Sequence, residues 1–263
     1  MHSTERERII LDCIEKRGFV SFQDLEVRVR ASPATIRRDL ARLTDAGLIK
    51  RVHGGAKLNQ VSGSRYGQTA LVGVPFQENI NRNRPQKERV GREAAKLCTL
   101  GEAVMIDGGS TTLQMCAHLA GLNLQVLTNS LHIVNALLGQ PGTRVLVPGG
   151  QVFAEQNIIL SVAGDDCMPR FHAPKLFIGA AAVGPAGIMQ ADIILVAAER
   201  RLIDRANEIV VLVDSSKFTG PSGHVVCSLD AIDTLVTDAG ILPEYVRMLE
   251  KAGVRLIVAG ESE

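Results

Sequence analysis

Nine consecutive residues, Ser32-Pro33-Ala34-Thr35-Ile36-Arg37-Arg38-Asp39-Leu40, constrain the first part of this chain more than any other stretch. Ser32 is placed to cap a helix, and Pro33 falls at the first helical position, where a missing N–H costs nothing. From there Ile36, Leu40 and Leu43 recur at i, i+4 and i+7, so that face must meet a core. Ala34, Thr35, Arg37 and Arg38 are thereby left accessible near the helix N-terminus, where guanidinium charge and the helix dipole can meet phosphates or guanine edges. A helix of this kind fits a DNA major groove. An arginine pair on an arbitrary helix is more simply a solvated face, with Asp39 or Glu26 as ordinary ion-pair partners. Asp39 itself reads as an internal brace for an arginine, because a carboxylate facing phosphates would be repelled.

The flanking residues supply the rest of a small DNA-reading module. Thr4-x-x-Glu7 has the form of a capping box, and Ile9, Ile10, Cys13 and Ile14 then share one helical face until Lys16-Arg17-Gly18. Ser21-x-x-Asp24 starts a second, short helix with Leu25 and Val29 inward, and Phe19 and Phe22 are expected beneath it. After the stop at Gly47, Leu48 to Ala56 reads as a strand, a Gly54-Gly55 turn and a return strand, forming a basic wing. Candidate DNA contacts are therefore Ser32, Ala34, Thr35, Arg37 and Arg38 on the helix, with Lys50, Arg51 and His53 on the wing. Charge agrees: residues 1–57 carry twelve Lys/Arg against eight Asp/Glu, whereas residues 58–263 carry seventeen against twenty.

Composition removes several other classes. Aromatics are 3% of the 263 residues with no Trp, too few for single-strand stacking platforms, and 46% hydrophobic with 22% charged residues is ordinary for a globular chain. The five cysteines (13, 98, 116, 167 and 227) are scattered, with no CxxC, which argues against disulfides or a zinc site and for a reducing compartment. With no signal-like or membrane-length apolar run, a cytoplasmic, unexported protein is expected.

Residues 57–75 lack periodicity and hold Ser62-Gly63-Ser64, Gly67, Gly73 and Pro75, so they form the expected linker between a 1–56 reader and a 76–263 domain. In the latter, apolar runs at 104–107, 125–128, 144–147, 175–178, 209–213, 235–237 and 255–258 alternate with helical stretches. That alternation predicts an α/β fold with a doubly wound sheet, whose ligands collect at the carboxyl ends of the strands. Val104-Met105-Ile106-Asp107 followed by Gly108-Gly109-Ser110-Thr111-Thr112 and a helix over Leu113–Ala120 is a strand, glycine turn and helix suited to an anion. Other strand ends offer Thr128-Asn129-Ser130, Gly149-Gly150, Gly179, and Asp214 with Lys217; the lysine can neutralise an anion while carboxylates accept from sugar hydroxyls. For Lys217 alone, a solvated turn is an equal alternative.

The run Thr35-Ile36-Arg37-Arg38-Asp39-Leu40 with His53-Gly54-Gly55-Ala56 downstream resembles the signature of the DeoR family. The landmarks Asp107 to Thr112, Thr128-Asn129-Ser130, Gly149-Gly150 and Asp214-Ser215-Ser216-Lys217 are similar to those of its sensor domain, so the resemblance covers nearly the whole chain. It implies a winged helix-turn-helix with the helix-turn-helix proper at 20–39, and a sensor with a fold similar to ribose-5-phosphate isomerase and CoA-transferase domains. It further implies regulation of sugar catabolism, usually repression, with a sugar-phosphate effector. One segment departs from the family pattern: where a glutamate-led E-A-x-V-K-R stretch is expected, the chain has Leu195-Val196-Ala197-Ala198-Glu199-Arg200. That puts leucine at the acidic position and glutamate at the lysine.

No GxSxG, HExxH or paired Cys/His motif points to catalysis, and His118, His132, His172 and His224 are dispersed. No cofactor or metal is expected. The expected partners are double-stranded operator DNA, a small carbohydrate-derived effector that is by default phosphorylated, and further copies of the chain as a homodimer or homotetramer. An activator would share all these residues, and an isomerase-like enzyme with Asp107 or Asp214 as base is the competing class.

Overall fold

The computed structural model describes residues 6–7, 9–11, 13–14, 19–29, 31–45, 49–52, 55–58, 76–160, 169–220 and 223–260. The chain divides into two compact units, Met1–Thr69 and Ala70–Glu263. The expected linker lies outside the described residues from position 59 to 75, as do the Thr4 cap, Gly47 and His53.

The first unit opens with α1, whose described residues lie within 6–14, followed by β1 (Phe19–Ser21), α2 (Phe22–Val29), α3 (Pro33–Asp45), β2 (Ile49–Val52) and β3 (Gly55–Leu58). Ser32 Oγ accepts from Thr35 N–H at 3.3 Å, the capping bond its position predicts. Ser21 Oγ likewise accepts from Asp24 N–H at 3.1 Å. Ile10, Ile14, Leu25, Val29, Ile36, Leu40, Leu43 and Ile49 close one core, each worth about 1.5–3 kcal/mol of burial. The sheet has a third strand, order β1-β3-β2, in which Val20 faces Ala56 across the antiparallel pair and both are buried. The segment around Phe19, expected only to underlie a helix, is thus a strand; three residues are too short to show alternation.

The second unit contains α4 (Phe76–Asn79), α5 (Arg84–Ala95), β4 (Ala103–Ile106), α6 (Thr112–Met115), β5 (Gln125–Leu127), α7 (Leu131–Leu137) and β6 (Arg144–Leu146). The hairpin β7 (Gln151–Phe153) and β8 (Ile158–Leu160) follows, then β9 (Ala173–Ile178), β10 (Ala182–Gly184), β11 (Gly187–Gln190) and α8 (Ile193–Ile203). The unit ends with β12 (Ala206–Leu212), β13 (His224–Cys227), β14 (Thr234–Asp238), α9 (Pro243–Lys251) and β15 (Arg255–Ala259). Its main sheet has seven strands in the order β15-β14-β12-β9-β4-β5-β6, every neighbouring pair parallel. These are the seven apolar runs of the sequence. Their side chains alternate between two cores: Met105, Leu176, Ile178, Ile209, Val211 and Leu235 on one face, and Val104, Ile106, Phe177, Val210, Leu212 and Val236 on the other. Layers on both faces make the sheet doubly wound.

The chain winds outward from β4 through β5 to β6, then crosses to β9 and winds the other way, so the order reverses between β4 and β9. Strand ends diverge there and leave a crevice. The Gly109 and Gly179 backbones meet across it: a Cβ built on Gly109 would lie 3.7 Å from Gly179 Cα and 3.0 Å from Thr112 Oγ1. A second, three-stranded antiparallel sheet, β10-β11-β13, was not anticipated, because strands of three or four residues carry little periodic signal. The helix expected over Leu113–Ala120 is a single α-turn that tightens into a 3₁₀ turn at Cys116–His118, where Gln140 Nε2 donates to the Cys116 carbonyl at 2.7 Å.

Candidate functional site

Each unit carries one candidate site. In the first, the cap and Pro33 aim the N-terminus of α3 outward, with Pro33, Ala34, Arg37 and Arg38 exposed and Thr35 half-buried. Arg37 stacks its guanidinium over the Phe22 ring, 5.5 Å from the centroid, which limits its wandering while leaving its donors outward. Neither arginine pairs with Asp39. That carboxylate is fully buried and is held by Arg6 of α1, Nε to Oδ2 at 2.7 Å, and by Arg42 one turn on. Burial opposes its ionisation, but hydrogen bonds from Arg6 and Arg42 outweigh that and hold its pKa below the usual carboxylate value. Asp39 is the brace its sequence context predicts, with partners other than its sequence neighbours. Lys50 and Arg51 lie on β2.

In the second unit, a cavity of about 350 Å³ opens at the β4/β9 switch point, a size fit for a small metabolite. Its floor is Asp107, Gly108, Gly109, Ser110 and Thr111 after β4 and Gly179 after β9; Asn129 enters from the end of β5 and Lys217 from the turn after β12. Thr112 holds the loop from behind: its hydroxyl donates to the Asp107 carbonyl at 2.7 Å and accepts from Gly109 N–H at 2.9 Å. Gly108 N–H is taken by Asn129 Oδ1 at 3.2 Å. The glycines therefore provide close approach rather than ligand donors. With α6 a single turn, its dipole adds little, so the floor offers a ligand mainly the side chains of Asp107, Ser110, Thr111, Asn129 and Lys217.

Thr128, Ser130 and Asp214 are not part of the cavity lining, and neither is Thr112. Thr128 is fully buried and accepts from Ser130 N–H at 3.1 Å, while Ser130 caps α7 by accepting from Ile133 N–H at 3.4 Å. Asp214 caps the 3₁₀ turn that presents Lys217, accepting from Asn83 Nδ2 at 2.9 Å and Ser216 N–H at 3.2 Å. Gly149 and Gly150 are exposed and outside the cavity lining.

One whole wall of the cavity is not among the sequence candidates. Phe76, Asn79 and Arg82 border the cavity from α4 onward, and Gln190, Leu195, Ala198 and Glu199 from β11 and α8. Phe76 stacks on His132, ring centroids 4.4 Å apart. Lys87 is fully buried; its ammonium donates to the Asn79 carbonyl and to Asn79 Oδ1. Burial pushes its pKa down to about 8, against the pull of the Asp214 carboxylate. Asp107 is pushed up to about 6 by burial, with Asn129 opposing. Glu199 is raised well above the ordinary carboxylate value by burial and by the nearby Asp107 charge.

Both units match known families. Residues 6–61 match the profile of the DeoR-like helix-turn-helix domain, and residues 82–239 that of the DeoR C terminal sensor domain. The chain belongs to the DeoR family. Over 257 residues it is 30% identical to the HTH-type transcriptional regulator UlaR of Escherichia coli (strain SMS-3-5 / SECEC) and to that of Salmonella arizonae, covering 98% of this chain and 99% of theirs. As a DeoR-family member it is a DNA-binding transcriptional regulator with a metabolite-sensing domain. Among solved structures, ribose 5-phosphate isomerase A of Methanocaldococcus jannaschii superposes with TM-score 0.39 at 19% identity, over 52% of this chain and 55% of that one. The probable sor operon regulator of Shigella flexneri gives TM-score 0.39 at 8% identity, over 67% and 86%.

Leu195 and Glu199, from the segment read in the sequence as unlike the expected family stretch, both line the cavity.

Proposed function

We propose that this regulator represses an operon for carbohydrate catabolism and is released from its operator by a sugar phosphate or related metabolite bound at the β4/β9 switch point. The observation that carries this reading is the cavity, where Ser110, Thr111 and Lys217 can meet an anion beside the hydroxyl acceptors Asp107 and Asn129. Arg37 and Arg38 read base edges or phosphates, with Lys50, Arg51 and His53 of the wing on the backbone. Two copies of one helix require two half-sites, so the working form is a homodimer or homotetramer in the cytoplasm.

A mobility-shift titration tests it: the purified chain should retard a fragment from upstream of its own gene at low salt, and hexose or pentose phosphates should weaken that shift. No retardation with or without sugars would refute the reading. Strengthening of the complex by the sugar would instead favour an activator.

The paired acids Asp107 and Glu199 give the competing enzyme reading its one foothold. Sugar-phosphate isomerisation followed by NMR separates the two; we expect no turnover, and turnover abolished by Asp107→Asn would make the cavity an active site.

A further inference from the structure

Glu199, on the cavity wall, carries a buried oxygen with no hydrogen-bond partner among the described residues. It projects from α8, a helix fixed at its start by Asp192, whose side chain accepts from Ile194 N–H at 2.9 Å. Glu199 Oε1 accepts from Gln190 Nε2 at 2.6 Å. Oε2 is buried and has no hydrogen-bond partner among the described residues. The residue is only 4% exposed, yet it forms part of the cavity lining. An orphaned buried oxygen is costly, and one that faces a cavity is relieved by whatever binds there.

We propose that Glu199 Oε2–H donates a hydrogen bond to an uncharged oxygen of the effector, a carbonyl or hydroxyl, and that this contact sets effector specificity. The inference rests on the cavity being the effector site.

The charges around the residue agree. Asp107 at the end of β4 acts directly on Glu199, so of the two carboxyls Asp107 ionises first and its charge keeps the proton on Glu199. Gln190 can only donate from Nε2, so Oε1 is the acceptor and the proton belongs on Oε2. From β13, the Cys227 thiol is raised to about 11 by burial and by Glu199 and stays protonated. Arg200, the next residue, turns away and donates to the Val225 and Val226 carbonyls at 2.8 and 2.9 Å. Lys217 and Arg82 are the cations of the cavity lining. A carboxylate on the ligand at this wall would face the Asp107 anion, and an ammonium would leave the Glu199 proton without an acceptor.

Calorimetric titration of the full chain with fructose 6-phosphate, glucose 6-phosphate, glucosamine 6-phosphate and 6-phosphogluconate tests the assignment, repeated from neutral pH upward. The two uncharged-ended sugars should bind more tightly than the amine or the carboxylate, and affinity should fall as pH rises through the Glu199 pKa. Glu199→Gln, which keeps a donor of the same shape, should retain affinity within about twofold while losing that part of the pH dependence; Glu199→Ala should lose roughly tenfold. Comparison with the glutamine variant separates Glu199 from Lys87, whose own titration near pH 8 persists in both. Tightest binding of glucosamine 6-phosphate, affinity that rises with pH, or Glu199→Gln as weak as Glu199→Ala would overturn the assignment. So would Glu199→Ala that binds normally while Ser110→Ala does not, and there the cavity reading survives alone. If none of the four binds, or Ser110→Ala and Lys217→Ala bind as well as the parent, the cavity reading falls and the assignment with it.

Discussion

Arg6 Nε donates to Asp39 Oδ2 at 2.7 Å, fastening α1 to the helix that carries Arg37 and Arg38. Asp39→Ala removes the buried carboxylate that Arg6 and Arg42 share and should cost the first unit about 3 kcal/mol, read by denaturant unfolding. Because the folded-state pKa lies below the ordinary value, the contribution is present above the unfolded pKa and is lost as pH falls through the folded one. Asp39→Asn should therefore be less stable than the parent at neutral pH, with the gap closing in acid. A gap that is constant with pH would mean that packing, not charge, does the bracing.

Arg37→Ala and Arg38→Ala should each weaken operator binding by about 1–3 kcal/mol if the arginine reads a base, leaving sugar binding unchanged. Equal losses on operator and random DNA, measured by fluorescence anisotropy, would mark that arginine as a phosphate contact. Phe22→Ala frees the Arg37 guanidinium, and a loss smaller than that of Arg37→Ala is expected.

For the cavity, Ser110→Ala or Lys217→Ala should raise the sugar concentration needed to release the operator by roughly tenfold, with DNA binding in the absence of sugar intact. Normal release in both variants would remove the floor of the cavity from the sensing site.

Asp107 is pushed up to about 6, so between its ordinary value and about 6 the folded chain holds more protons than the unfolded one. Stability falls as pH rises through that window, and above it the full cost of burying the charge remains. Asp107→Asn should thus stabilise the sensor at neutral pH by at most about 3 kcal/mol, and the gain should vanish by about pH 4. Thermal unfolding at the two pH values decides it; an equal gain at both would show that charge burial is not the cause.

The strongest sequence signals were those with long period or special backbone chemistry. Ser32-Pro33 and the Ile36, Leu40, Leu43 stripe located α3, and the seven apolar runs became the seven parallel strands, since a strand buried on both faces must be apolar throughout. The floor of the cavity was legible for the same reason, because the crevice follows from strand order and its glycines stand at strand ends. The wall was not. Glu199 and Gln190 meet only through the packing of α8 on β11, and Lys87 reads as a surface residue in the polar sequence of α5 although it is fully buried. Arg6 lies 33 residues from Asp39, a separation at which no local pattern names a partner.

Leu195, Ala198 and Glu199 stand at i, i+3 and i+4 on one face of α8, and all three border the cavity. The floor opposite is fixed by sheet topology, where a side chain on Gly108 or Gly109 would collide with Ile158 or crowd Thr112. Evolution is therefore offered one permissive surface and one forbidden one. If the cavity holds the effector as proposed, a lineage can change its ligand by exchanging a few neighbours along a single helix, while the sheet and the DNA-binding module inherit unchanged.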